Sequence, residues 1–242
     1  MPQRLTASLR QAEVEEVDRI HRFLTDAGDP NLLPRPKKDY EQSAADGFFY
    51  IVESGQDLIG AAGIFRLADE KDAPLEAGSC FVAQPARGFR LQSLLMRARI
   101  AAAVLFESRF VDLFTAVKPE NDASRKNVLR SGFELLTAPT ALLLEPCVSC
   151  SEKPSSESTR SCCCDFYVLP MNKKCSEVEE LLSLEQADFE ATLTNSAGDQ
   201  LAVRYDAQFV REQAYLEALR EFRASNECAS LGERFLNYLG IR

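Results

Sequence analysis

The chain has 242 residues, 45% hydrophobic and 27% charged, which suits one large globular domain or a medium one with an appendage. Its formal net charge of −9 argues against a nucleic-acid binder, because phosphate contacts need clustered Lys and Arg. No apolar run approaches the roughly 20 residues of a membrane-spanning helix, and the opening Met1 to Thr6 lacks the apolar core of a signal peptide, so cytoplasmic residence away from membranes is expected.

Leu5 to Gln11 reads as a first strand. Glu13 to Ala27 follows with Val14, Val17, Ile20, Phe23 and Leu24 at helical spacing, and ends at Gly28-Asp29-Pro30. His21, the one histidine, lies on this helix and reads as a half-exposed residue rather than a base. After a Pro-rich connector, Lys37 to Asp46 suits a second helix. Phe48 to Glu53 and Leu58 to Phe65 read as a hairpin turning at Ser54-Gly55-Gln56-Asp57. Asp69 to Pro74 is a polar turn, and Leu75 to Ala83 is the next strand. Gln84 to Arg90 then leads into a long helix, Leu91 to Glu107. Val111 to Val117 is apolar and β-branched, Asn121-Asp122-Ala123-Ser124 starts a short helix, and Ser131-Gly132 stops it before a new apolar run at Phe133. Ala141 to Val148 and Asp165 to Leu169 read as two more strands. Beyond Asn172, Glu177 to Leu184 looks helical. Phe189 to Thr194 and Leu201 to Tyr205 look like a hairpin turning at Asn195-Ser196-Ala197-Gly198, and two helices (Gln208 to Ala224, Leu231 to Leu239) close the chain. This last part holds eight Lys and Arg against thirteen Asp and Glu, so it adds no basic patch. Pattern alone supports a mixed α/β domain.

Eight cysteines in a chain expected in the cytosol read as reduced thiols. Cys147, Cys150, Cys162, Cys163 and Cys164 cluster around a polar loop. A Cys-x-x-Cys pair facing further cysteines is a zinc-like arrangement, but three adjacent cysteines and no nearby histidine make a cysteine-rich loop the plainer reading, so no metal is expected.

Two blocks carry a resemblance. Val82-Ala83-Gln84-Pro85-Ala86-Arg87-Gly88-Phe89-Arg90-Leu91-Gln92 resembles the V-x-P-x-x-R-G-x-G-L-G turn of the GNAT superfamily of N-acetyltransferases. Val117 to Phe133, with Asn121, Ser124 and Gly132, resembles that family's V-x-x-x-N-x-x-S-x-x-x-x-x-x-G-F signature. In order and spacing the match spans roughly Leu5 to Met171. The resemblance implies an α+β fold, with a mixed, largely antiparallel sheet flanked by helices over residues 1–171. Residues 172–242 form a C-terminal extension of hairpin plus helices. It also implies acetyl-CoA as cosubstrate and transfer of acetyl to a primary amine by direct attack.

By the resemblance, the turn Arg87, Gly88, Phe89, Arg90, Leu91 and Gln92 holds the pyrophosphate of CoA. The physical warrant is a helix start, where unpaired N–H groups and the positive dipole end favour an anion. In the family the residues matching Arg90 and Gln92 are commonly small, which brings the backbone close to phosphate; here both are large. Phe81, Val82 and Ala83 lie along the pantetheine arm. Glu76 is the candidate base and Ser124 the candidate acid toward the leaving thiolate, with Asn121 beside the sulfur and Arg125 toward the phosphates. Many relatives carry a tyrosine one turn after Ser124; this chain has Val128. Each residue also has a plain role: Asn121 and Ser124 as helix caps, Glu76 as a solvated strand-edge carboxylate, the arginines as solvated side chains. The competing reading is a degenerate fold of this type that binds CoA, or nothing, and acts as an interaction module through its C-terminal extension. The amine acceptor and any homodimer contact stay open.

Overall fold

Alternation along the central strands decides the architecture. In the computed structural model, which describes residues 4–32, 35–66, 75–106, 113–136, 164–169 and 189–206, strand β2 (Phe49–Ser54) sends Phe49 and Ile51 to one face. It sends Tyr50 and Val52 to the other. Strand β3 (Asp57–Arg66) repeats the pattern, with Ala61 and Phe65 on the first face and Ala62 and Ile64 on the second. Successive side chains of a strand point to opposite faces, so both faces are apolar and both must be covered. Helices α1 (Val17–Thr25) and α2 (Lys37–Ala45) cover the first with Val17, Ile20, Leu24, Tyr40 and Ala44. Helix α3 (Leu91–Phe106) covers the second with Leu91, Leu95, Ala98 and Ala102, joined by Val128 of α4 (Asp122–Arg130).

The remaining described strands are β1 (Arg4–Gln11), β4 (Leu75–Val82), β5 (Leu113–Val117), β6 (Glu134–Leu135), β7 (Asp165–Leu169), β8 (Phe189–Thr194) and β9 (Gln200–Asp206). They form one sheet in the order β6-β7-β5-β4-β3-β2-β1-β9-β8. Neighbours are antiparallel except β4 with β5 and β1 with β9. The mixed, largely antiparallel sheet flanked by helices is therefore the fold expected above.

Two features position the site. Strands β4 and β5 are paired only at Leu75–Leu113 and Glu76–Phe114; beyond that β5 stays with β7 as far as Val117, and β4 leaves it. On its other edge β4 has a bulge, because Ser79 and Cys80 lie opposite Ala62 alone between the pairs Gly63–Gly78 and Ala61–Phe81. Ser79 takes a left-handed φ of 47° there. A bulge bends its strand and sharpens the twist, which opens β4 away from β5.

The hairpin expected within residues 172–242 is present, and it continues the main sheet. Strand β9 runs parallel to β1 from Arg4–Gln200 to Arg10–Asp206, and Leu201 and Val203 are buried in the core on the α3 side. The turn at Asp69 to Pro74, the strand at Ala141 to Val148 and the helices at Glu177 to Leu184, Gln208 to Ala224 and Leu231 to Leu239 lie outside the described residues. So do Cys147, Cys150, Cys162 and Cys163. Cys164, just before β7, is buried.

Candidate functional site

The gap between β4 and β5 opens into a cavity of about 530 Å³ that reaches from the start of α3 through the sheet to Arg35 and Glu76. At its α3 end the chain is shaped for an anion. The backbone amides of Gly88, Phe89, Arg90, Leu91 and Gln92 have no acceptor among the described residues. They sit at the start of a 16-residue helix, whose dipole adds positive potential at that end. The loop holds this shape through two left-handed residues, Gly88 at φ 88° and Arg90 at φ 62°. Glycine takes such angles freely, whereas a side chain with a Cβ pays about 1–2 kcal/mol. Arg90 thus stands where the related motif has glycine, and the backbone adopts the glycine-like conformation regardless.

The two arginines of the loop differ. Arg87 is tied back: Nε donates to the Val82 carbonyl at 3.0 Å, Nη2 meets Asp29 Oδ2 at 3.1 Å, and the guanidinium lies 5.6 Å from the Phe81 ring centre. It staples the loop to the turn after α1, a contact that sequence reasoning did not foresee. Arg90 is exposed and has no ion pair among the described residues. Phe89 and Leu91 are buried and anchor the loop from below.

Along β4 the Phe81 ring packs edge-on against Phe23 on the α1 side, with centroids 5.3 Å apart. Cys80 and Val82 pack against the α3-side core. The backbone of this stretch borders the cavity, while the side chains fix the strand in place. Burial pushes the Cys80 thiol up, so it stays protonated.

Helix α4 forms the opposite wall. The Asn121 side chain accepts the Ser124 amide at 3.1 Å, so Asn121 is the N-cap. That cap leaves the Ser124 hydroxyl facing the cavity, 3.5 Å from Gln92 Nε2. Sequence reasoning missed the brace behind it. Buried Asn127 accepts from Ser93 Oγ at 2.6 Å, and its Nδ2 lies 3.5 Å from the Gln92 carbonyl, so the starts of α3 and α4 are locked together. Its signal was a polar residue inside a short helix next to apolar Val128, which usually means a specific partner. Val128 is buried. Arg125 pairs with Asp122 on its own helix.

At the far end Glu76 Oε2 meets Arg35 Nη2 at 2.5 Å, and the Arg35 guanidinium lies 4.0 Å over the Phe65 ring. Burial disfavours the Arg35 cation, but the charge and hydrogen bond of Glu76 outweigh it and hold its pKa above the ordinary value. Glu76 is thus neither solvated nor alone. A Cβ on Gly78 would lie 3.2 Å from Arg35 Nη2 and 3.3 Å from Glu76 Oε1, so the missing side chain keeps this mouth open. Tyr40 Oη and Ser79 Oγ lie 3.4 Å apart beside the bulge, and burial raises the Tyr40 hydroxyl pKa. Among the described residues no group of three His, Cys, Asp or Glu is placed to hold a metal. His21 stacks edge-on against Tyr40 and does not line the cavity.

The structure thus gathers Glu76, Phe81, Val82, Arg87, Gly88, Arg90, Leu91, Gln92, Asn121 and Ser124 around one cavity. Ala83 lies at its edge, where its amide donates to Ile59 and is not free.

No family model and no curated protein matches this chain. Solved structures similar to it include Naa50 of Arabidopsis thaliana in complex with the bisubstrate analogue CoA-Ac-MVNAL, at 16% identity over 67% of this chain and 95% of that one, TM-score 0.48. Diaminobutyrate acetyltransferase EctA from Paenibacillus lautus, in complex with L-2,4-diaminobutyric acid and coenzyme A, gives 18% identity over 69% and 96%, TM-score 0.49. An acetyltransferase of the GNAT family from Streptococcus pneumoniae gives 14% over 67% and 96%, TM-score 0.48.

Proposed function

We propose that this chain is a cytoplasmic, acyl-CoA-dependent N-acyltransferase that moves an acetyl group from acetyl-CoA to a primary amine by direct attack. The observation that carries this reading is the run of acceptor-free amides from Gly88 to Gln92, which opens straight into the gap between β4 and β5. One end of the cavity offers an anion cradle and the other the Glu76 carboxylate paired with Arg35, with a slot of strand backbone between them. A thioester carrier with a diphosphate fits that sequence of features.

When bound, the thioester supplies an activated acyl carbon. The chain's residues do the rest. The amides of Gly88 to Gln92 hold the diphosphate, and the β4 backbone at Phe81 and Val82 aligns the arm. The amine attacks as the neutral base, and Glu76, paired with Arg35, lies at the mouth where it enters. As the nitrogen bonds to the acyl carbon its proton becomes acidic enough for a carboxylate to take, directly or through one water. The carbon–sulfur bond breaks, and Ser124, steadied by Gln92, donates a hydrogen bond to the departing sulfur.

The test is release of free CoA from acetyl-CoA across a panel of small amines and peptide N-termini, with CoA binding measured in parallel. Turnover supports the enzyme. Tight binding without turnover on any acceptor supports the interaction module instead, and absence of binding removes the enzyme and leaves a module that binds no CoA. Glu76→Gln should lower kcat about 100-fold, in the range for a lost general base, while CoA affinity stays within about threefold. An unaltered pH–rate profile in this variant would take the base role away from Glu76.

A further inference from the structure

Within the α3-side core sits a charge that the steps above do not use. Arg99 is 1% exposed and lines the cavity wall below the point where β4 and β5 part. Its Nε donates to the Leu95 carbonyl at 3.3 Å, Nη1 to the Gly78 carbonyl at 3.3 Å, and Nη2 to Met96 Sδ at 3.5 Å. It forms no ion pair among the described residues, and one N–H on each terminal nitrogen has no acceptor there. Burial pushes its pKa down, yet a guanidinium stays protonated in proteins. A buried cation with no ion-pair contact is costly, and Glu76, which favours it only through space, is already paired with Arg35. The two carbonyls it caps explain its shape but not its charge.

Its depth matters. Arg99 lies about 12 Å along the α3 axis from Leu91, where the diphosphate would dock. The Gly78 carbonyl it holds belongs to the bulged stretch of β4, and the adjoining Ala77 carbonyl is taken by Thr115 Oγ1 at 2.8 Å, which closes the end of the gap. A group carried into this closed end, beyond the thioester, meets a guanidinium rather than a methyl-sized apolar socket.

We infer that the preferred acyl donor is a CoA thioester whose acyl chain ends in a carboxylate, of the malonyl or succinyl class, with that carboxylate paired to Arg99. This rests on the CoA-thioester part of the reading above and puts a longer, charged acyl group in place of acetyl.

The experiment is calorimetric titration of the full chain with CoA, butyryl-CoA and succinyl-CoA, followed by donor competition in the amine assay. Succinyl-CoA should bind at least tenfold more tightly than butyryl-CoA, which matches it in chain length without the charge. Arg99→Met should bring the ratio to one or below, and Arg99→Lys should keep part of it. Should Arg99→Met fail to fold, the wild-type ratio and the Lys variant still decide. If CoA binds but the two acyl thioesters bind alike, or acetyl-CoA outcompetes succinyl-CoA, the inference falls and the donor site stands. If CoA itself does not bind, both fall.

Discussion

Arg90 and Gly88 share one loop and one backbone region, but only glycine suits it. The left-handed conformation costs Arg90 about 1–2 kcal/mol, partly offset by the extra freedom, about 0.5–1 kcal/mol, that a glycine would lose on folding. Arg90→Gly should therefore raise stability by up to about 1 kcal/mol, or 2–4 °C in Tm for a chain of this size, without weakening CoA binding. Gly88→Ala should do the reverse, costing about 1 kcal/mol or more and loosening CoA by misplacing the amides. A thermal melt with a CoA titration on both variants checks the pair, and a lower Tm for Arg90→Gly contradicts the strain argument. The loop itself was legible from its spacing to the helix start. The tie of Arg87 to Asp29 was not, because it joins residues 58 apart that only the fold brings together. Arg99 carried a faint signal. Arg97 and Arg99 lie two apart in the part of α3 beyond Ser93, which is otherwise apolar, and so face nearly opposite ways, which turns one of them inward. Which of the two, and against what, needed the sheet.

Among the elements, β3 is the most tightly constrained. A Cβ on Gly63 would sit 2.6 Å from Phe49 Cδ2 and 2.8 Å from Phe65 Cζ, inside the ring cluster that joins β2 and β3 to α2. Gly63→Ala should cost about 1–3 kcal/mol through overpacking, visible as a lower urea midpoint at unchanged slope. The glycine was plain in the sequence, but its reason is the pair of rings across the pleat. A second element-scale prediction concerns the start of α1. Arg10 bridges Glu16 at 2.6 Å and Glu53 at 2.7 Å, and Arg19 also holds Glu53 at 2.6 Å. The hydrogen bond from Arg10 holds the Glu16 carboxyl below its ordinary pKa, against the opposing effect of burial. A depressed folded pKa means that the stabilisation is complete above the unfolded value, about pH 4.3, and fades as pH falls toward the folded one. Stability should thus drop below about pH 4.3, and Glu16→Gln should flatten that part of the curve. The network is partly exposed, so each pair contributes only about 0–1 kcal/mol. An acid-unfolding series on both proteins reads the difference; equal slopes would remove Glu16 from the account.

At the scale of the molecule, the hairpin β8–β9 bears on where the domain ends. Its sequence lies beyond the resemblance, and in the structure Leu201 and Val203 are buried in the core while β9 pairs with the edge of β1 away from β2. The turn at Asn195 also touches the donor loop, since a Cβ on Gly88 would lie 3.6 Å from Asn195 Cβ. Truncation after Met171 strips about 1.5–3 kcal/mol of apolar burial per large core side chain and leaves β1 as an open edge. The shortened chain should aggregate or melt well below the full one; a soluble monomer with unchanged Tm would restore residues 172–242 as a separate appendage.

Local patterning was enough to place the central strands, α1 to α4 and the capped Asn121 turn, because each depends on neighbours within a few residues; the role of the loop before α3 came only from the resemblance. What the chain could not declare in one dimension was how distant elements meet. The bulge at Ser79 that parts β4 from β5, the Arg35–Glu76 pair at the mouth, the Asn127 brace and the buried charge of Arg99 all arise where segments far apart in sequence pack together. Their energetics come from burial and partner geometry, which exist only once the sheet has formed.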